Sequence, residues 1–323
     1  MCADLITCLV RHYLGDNATT SAVCNQLRTT CPTLFSDEDA TATRATEMLE
    51  EAHLMEPCPT RTELIDEAIR MLKVGVHKLN LPVICQLLHE VDCVEGIVEL
   101  ALARAERSDP RMLALIAYKS HSAETDSLTQ DAFNKRKSAY KCITDALDRI
   151  QADVRTKSGI ALQSAVVSRD LIINCVLRSK DELANVAVFK WLLANQLSNV
   201  VVESKSPFAE SFLHTLVEGG GASSYLDLLW RFHEKNGNFA KAAKLLYSLA
   251  RRDTNAFDLR RRVAYLSQAS MCAKSAISQQ SDQLKDQNFI VAIQDELDVA
   301  EIQLATKFVS IDIHSCCNKF RIE

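Results

Sequence analysis

The sequence predicts an all-α protein, an irregular α-solenoid of stacked antiparallel helix hairpins. Three observations carry this. Apolar residues recur at helical spacing almost throughout the chain. Gly (8) and Pro (6) are scarce among 323 residues, against average usage of about 7% and about 5%. Helix-start signals also follow one another closely, which favours short connections and antiparallel neighbours. A β-sandwich would need many more turn residues. The length suits roughly two ordinary domains or one elongated repeat array.

The apolar stripe after Thr60 runs through Leu64, Ile65, Ala68, Ile69, Leu72, Val76 and Leu79. Thr60 and Glu63 form a capping-box pattern, each side chain satisfying the other's free backbone amide. Pro82 divides this helix from a second with Val83, Ile84, Leu87, Leu88 and Val91 inward. Asp92-Cys93-Val94-Glu95 reads as a new N-cap with almost no loop, followed by Val94, Ile97, Val98, Ala101, Leu102 and Ala105. Asp109-Pro110 starts a further helix, Pro taking the first position where its missing N–H costs nothing, with Met112, Leu113 and Ile116 inward.

A longer helix over about 129–155 carries a heptad-like seam: Phe133, Tyr140, Ile143, Leu147, Ile150 and Val154. The seam suits packing on neighbouring helices. The pattern is weakest over Ala152–Ser164, where a flexible linker is expected. Division near residue 155 gives a first part of the solenoid (1–155), a second (156–310) and a divergent tail (311–323).

The second part repeats the plan. Leu171, Ile172, Cys175 and Val176 end one helix, and Ser179-Lys180-Asp181-Glu182 forms another capping box. The next helix carries Leu183, Val186, Ala187, Phe189 and Trp191 on a broad apolar face. Ser206-Pro207 starts another, and Gly219-Gly220-Gly221 is a loop. The helix beginning at Tyr225 stops at Asn236-Gly237, a left-handed C-terminal end. Asn238 caps its successor, which carries Phe239, Ala242, Ala243, Leu245, Leu246 and Leu249. About a dozen helices result, without a strict sequence repeat, as in a degenerate solenoid.

The net charge is −5 and the pI about 5.9. Binding nucleic acid through its phosphates usually needs a basic domain, so direct nucleic-acid binding is not expected. The densest basic stretch, Arg251-Arg252 and Arg260-Arg261-Arg262, reads as a solvated helix end and loop. The twelve cysteines follow no disulfide framework. Cys24/Cys31 and Cys85/Cys93 have spacings that put each pair on one helix face as small apolar side chains. The opening Met-Cys-Ala-Asp lacks a basic region and does not read as a signal peptide. No run approaches about 18 consecutive apolar residues, so no transmembrane segment is expected. The sequence reads as soluble and intracellular.

Catalytic motifs are missing. There is no CxxC, HExxH, GxSxG, P-loop or dinucleotide fingerprint. His314 with Cys316 and Cys317 is the one His/Cys cluster, with spacing poor for zinc. No catalytic, cofactor or metal residue and no small-molecule substrate is assigned. A thiol hydrolase assembled from distant Cys and His stays open as an alternative. Trp191 and Trp230 are either core residues or anchors of a partner pocket, since aromatics bury large area at low entropy cost.

Several blocks are then recognisable together. Tyr225–Phe239 with Ala242-Ala243 and Leu249-Ala250 resembles a helix hairpin of the large inner-ring nucleoporins, called nucleoporin 155 in animals and nucleoporin 170 in fungi. Arg262–Ser275 is similar to the helix that follows there. Tyr140–Asp145, Gly96–Leu100, Ser179–Leu183 and Cys31–Asp37 fit upstream in the same order. The resemblance extends from about Cys31 to about Leu304 and covers only that family's C-terminal solenoid, without the N-terminal β-propeller associated with membrane contact. After Leu304 the sequence departs from the family, and Phe308–Glu323 lacks the expected further helices. That pattern reads as a fragment, a shortened isoform or a gene-model end.

The resemblance implies a non-enzymatic structural constituent of the pore's inner ring, at the nuclear envelope, supporting nucleocytoplasmic transport. It implies partners among inner-ring scaffold subunits and linker nucleoporins of the 98/145 and 35/53 types. No partner-binding residue carries over by position. A helical-repeat scaffold of another assembly, a vesicle coat or proteasome-lid-like subunit, is the alternative.

Overall fold

A computed structural model describes residues 35–120, 127–219, 223–252, 259–278 and 287–319, with short helical turns between 22 and 30; side chains are described as far as 306. Among the described residues there are fourteen helices and no strand. The chain divides into two compact units, one through Trp191 and one from Leu192.

The first unit contains α1 (Asp37–Leu54), α2 (Pro59–Val74), α3 (Leu81–Glu90), α4 (Val94–Ser108), α5 (Leu113–Ser120), α6 (Ser127–Thr156), α7 (Gly159–Arg178) and most of α8 (Glu182–Ala194). α1 packs on α2, α3 on α4, and α4 and α5 both lie on the long α6, which α7 also covers. Leu49, Leu72, Leu88, Ile97, Leu100, Ile143, Leu147 and Ile172 are fully buried between them. Each such side chain contributes about 1.5–3 kcal/mol by leaving water. Gly96 lets α4 approach α2 closely: a Cβ there would sit 2.7 Å from Ile69 Cδ1.

The second unit contains α9 (Ser198–Val202), α10 (Ala209–Glu218), α11 (Ser223–Lys235), α12 (Phe239–Ala250), α13 (Leu259–Ser278) and α14 (Gln287–Lys319). From α10 onward each helix packs on its successor, and α9 packs on α11. One core cluster in it is built from small residues: Ala240, Ala242, Ala243, Ala269, Ala273 and Ala276, with Leu246, Cys272 and Ile293. Gly237 ends α11 at φ 75°, the left-handed stop expected from Asn236-Gly237. Its N–H donates to the Glu234 carbonyl, and that of Asn238 donates to the His233 carbonyl. Asn238 is the N-cap of α12, but its side chain makes no capping bond.

Several local expectations are corrected. α2 starts at Pro59, and Cys58 rather than Thr60 is its cap: Cys58 Sγ accepts from the Arg61 N–H at 3.4 Å. α2 ends at Val74, because Gly75 leaves the helix, so Val76 and Leu79 belong to the turn that follows. Pro110 lies in a turn and α5 begins only at Leu113. Met112, at φ 53°, and Ile116 point outward there, while Ala114 is buried. Val83 and Leu171 are exposed as well. Asp181, not Ser179, caps α8: its Oδ1 accepts from the Ala184 N–H at 3.2 Å. Ser179 instead ends α7. Pro207 lies ahead of α10, which begins at Ala209 with Phe208 at the N-cap.

The linker expected over Ala152–Ser164 is almost wholly helical, since only residues 157 and 158 separate α6 from α7. Backbone helix continues in α14 to Lys319, as one helix with no further one described after it. Cys85 and Cys93 do not share a helix: one lies in α3, the other is the N-cap of α4. Cys24 and Cys31 lie outside the described residues, as do the side chains of His314, Cys316 and Cys317.

One helix bears on the membrane expectation without overturning it. α7 is long and apolar enough to cross a membrane by length and composition, with a mean hydropathy of 1.5. No run of consecutive apolar residues marks it, because Arg169 and Asp170 interrupt the segment and pair with each other. One face of α7 packs through Ile172, Ile173 and Val176, while Ile160 and Val167 stay exposed.

Candidate partner-binding grooves

In the first unit, α6 and α8 leave a groove of about 670 Å³ between them, with Tyr118 of α5 at its edge. Its floor is apolar: Leu183 and Val186 are buried and Phe133 half-buried. Its rim is cationic. Lys137 and Lys141, four apart on α6, stand on one side and Lys190 of α8 on the other, all three exposed. No Asp or Glu is among the lining residues.

A buried ionic network braces this groove. Arg136 sits on α6 one turn before Tyr140, so both side chains share a face. Arg136 Nε donates to Asp109 Oδ2 at 2.8 Å, and Nη1 donates to Tyr140 Oη and to Asp181 Oδ2, both at 3.0 Å. Tyr140 Oη donates to the same Asp181 oxygen at 2.7 Å. Both carboxylates also work as caps. Asp109 accepts the N–H groups of Leu113 and Ala114, and Asp181 that of Ala184. One guanidinium therefore links the starts of α5 and α8 to the middle of α6.

Burial works against the Arg136 charge, yet Tyr140, Asp181 and Asp109 outweigh it and hold its pKa above the usual value. Burial, reinforced by the Asp181 charge, pushes the Tyr140 phenol up, so it stays a neutral donor. Arg136 also lines a second cavity of about 390 Å³, together with Asp109, Asp181, Met112 and Leu115.

The second unit has an open hollow of about 520 Å³ between α11 and α13, lined by Trp230, Arg231, Arg261 and Tyr265. Asp227 organises it. Asp227 Oδ1 accepts from Trp230 Nε1 at 2.7 Å and from Tyr265 Oη at 3.4 Å, and Oδ2 pairs with Arg231 at 2.8 Å. The Arg231 guanidinium also stands 5.7 Å from the Trp230 ring centre. Asp227 thus already has Arg231 as its counter-ion inside this hollow, which Arg261 also lines.

The two tryptophans therefore separate. Trp191 is 7% exposed and donates Nε1 to Asp148 at 2.7 Å, a satisfied core residue. Trp230 is half-buried and lines the hollow. The arginine cluster is only partly a solvated end: Arg251 and Arg262 turn to Glu296, which also accepts from Tyr247 Oη at 2.7 Å.

Sequence reasoning missed the Arg136 network, though Tyr140 and Asp181 had both been singled out for other reasons. The i, i+4 pair Arg136/Tyr140 was a visible signal. The lysine rim was not, because it joins two helices about fifty residues apart in sequence. The described cysteines, Cys58, Cys85, Cys93, Cys142, Cys175 and Cys272, are free thiols, and Cys85 of α3 and Cys142 of α6 lie against each other.

A model of the family "Non-repetitive/WGA-negative nucleoporin C-terminal" matches residues 1–306. The chain belongs to this nucleoporin family. Nuclear pore complex protein Nup154 of Drosophila melanogaster is 29% identical over 320 residues, covering 94% of this chain and 23% of the relative. The solenoid of Chaetomium thermophilum Nup170 superposes with TM-score 0.70 at 24% identity, covering 94% of this chain and 39% of that one. The C-terminal domain of Nup170 from the same fungus, solved in complex with Nup145N, superposes with TM-score 0.62 at 24% identity over 82% of this chain and 51% of that one. The fold of this nucleoporin chain is thus the helical solenoid. The chain spans under a quarter of the length of that curated relative. Its relatives are structural nucleoporins rather than enzymes.

Proposed function

We propose that this chain serves as part of the solenoid scaffold of the nuclear pore's inner ring, at the nuclear envelope, and binds linker segments of other nucleoporins in support of nucleocytoplasmic transport. The observation that carries the reading is the family match over residues 1–306. The groove between α6 and α8 supplies a physical mode of binding. Its apolar floor takes side-chain anchors from an extended or helical peptide, and Lys137, Lys141 and Lys190 attract acidic residues beside those anchors. The occupant is therefore a linker segment that alternates apolar and acidic residues. Linkers of the 98/145 and 35/53 types are the candidates. The pairing of Nup170 with Nup145N in the fungal complex favours the first of these.

Fluorescently labelled linker peptides of both types, titrated with the purified chain, test this. K137E/K141E should weaken the correct peptide at least tenfold and flatten its salt dependence, because rim charges act mainly through steering and screening. Trp230→Ala should leave that affinity unchanged. A folded chain that binds neither peptide, or a double lysine variant that binds like the native chain, would refute the groove assignment.

A further inference from the structure

Away from the groove, α10 and α11 bring together three side chains of metal-ligand type. Glu210 and His214 lie four residues apart and so share one face of α10. His233 lies on α11. One ligand atom from each falls within 4.8 Å of the other two. We propose that Glu210, His214 and His233 form a binding site for a divalent first-row cation, zinc foremost, which ties α10 to α11.

His233 is the most buried of the three. It is 1% exposed, yet its Nδ1 is buried without a hydrogen-bond partner. Buried polar atoms are almost always satisfied, and an orphan costs about 1–3 kcal/mol. A coordinate bond to an imidazole nitrogen is one way to satisfy this ring. The His214 ring centre is 6.2 Å from that of His233.

The donor set decides the metal class. Two imidazoles and one carboxylate suit zinc and its first-row neighbours, not calcium or magnesium, which take oxygen ligands. Tetrahedral zinc with bonds of about 2.0–2.1 Å needs donor atoms about 3.4 Å apart, so the three must close in by at most about 1.4 Å. The partly exposed members have room to do so: the side chains of Glu210 and His214 are 38% and 46% exposed. Water would fill the fourth position.

Lys241 opposes the metal. Its Nζ donates to Glu210 Oε1 at 2.7 Å and its charge stands where the cation's would act. This pairing is also what holds the Glu210 carboxyl below its usual range. Lys241 is exposed and can swing aside, so the metal-free state is a Glu210–Lys241 ion pair and the metal-bound state exchanges lysine for the cation.

Cobalt(II) is the probe, because the chain's thiols also bind metals and must be told apart. The full chain titrated with Co²⁺, and then with Zn²⁺ to displace it, should give visible d–d bands without a sulfur charge-transfer band. His214→Ala and Glu210→Gln, both at partly exposed positions, should each weaken binding at least tenfold with unchanged circular dichroism. Lys241→Gln should tighten it at least threefold. At about 100 Kd of zinc the native chain's Tm should rise by several degrees, and H214A's should not. No cobalt spectrum, a sulfur band, or native affinity in H214A would overturn the site. Native affinity in K241Q would overturn the exchange with lysine.

Discussion

The α5–α8 region of the first unit and the α11–α13 region of the second hold their helices together by different means. In the first, one guanidinium and two carboxylates are sunk among apolar residues, and each carboxylate also caps a helix. In the second, alanines meet face to face, and the polar groups around Asp227 stay at the rim of an open hollow. Small residues bring helix backbones close and gain dispersion contacts without directional demands. A buried ion pair gains little net energy but fixes which helix starts meet which helix middle. The apolar, cationic groove belongs to the rigidly specified region. A binding floor needs fixed side chains if its occupant is not to pay for ordering them.

The comparison breaks most sharply at Arg136. Arg136→Ala leaves Asp109, whose side chain is 1% exposed, buried without its counter-ion. We expect a loss of about 3–5 kcal/mol in urea unfolding. Arg136→Met combined with Asp109→Asn should recover part of that loss, because the uncompensated charge is then gone. If the single variant costs under 1 kcal/mol, the network is ornamental and the two regions are held alike.

The tryptophans sharpen the same contrast at a smaller scale. Trp191→Ala should cost about 3–5 kcal/mol, since it empties a buried site and orphans Asp148. Trp230→Ala should cost about 1–2 kcal/mol, because its ring is half in water and Arg231 keeps its pairing with Asp227. Equal costs in thermal melts would mean that Trp230 is as much core as Trp191.

What the sequence disclosed follows from which interactions are periodic. The Ile143, Leu147 and Ile150 seam was visible because burial repeats at helical spacing, and all three are buried. Gly237 was visible because left-handed backbone favours glycine. Two helix caps were misplaced by two residues where two acceptors competed: Thr60 against Cys58, Ser179 against Asp181. Local pattern cannot rank such neighbours, since the winner depends on where the preceding turn aims each side chain. The groove and the Glu210/His214/His233 cluster escaped for another reason. Each joins helices whose spacing in sequence says nothing of their spacing in the fold. Only the i, i+4 halves, Lys137/Lys141 and Glu210/His214, were written in the chain.

The smallest expected effect concerns those caps. In the first unit four helix starts take a side-chain acceptor, from Ser36, Cys58, Asp109 and Asp181. In the second, α9, α10 and α12 take none. Cys58 is the weak member of the four, because sulfur is a poor acceptor and the site is exposed. Its backbone is extended and Pro59 already presets the first turn, so a better acceptor needs no rearrangement. Cys58→Ser should therefore stabilise the first unit by about 0.5–1 kcal/mol, read as a rise in the urea midpoint at unchanged m-value. Were the midpoint to fall, the thiol would be holding α2 by packing rather than by accepting the Arg61 amide, and the first unit's advantage in capped starts would shrink to three helices.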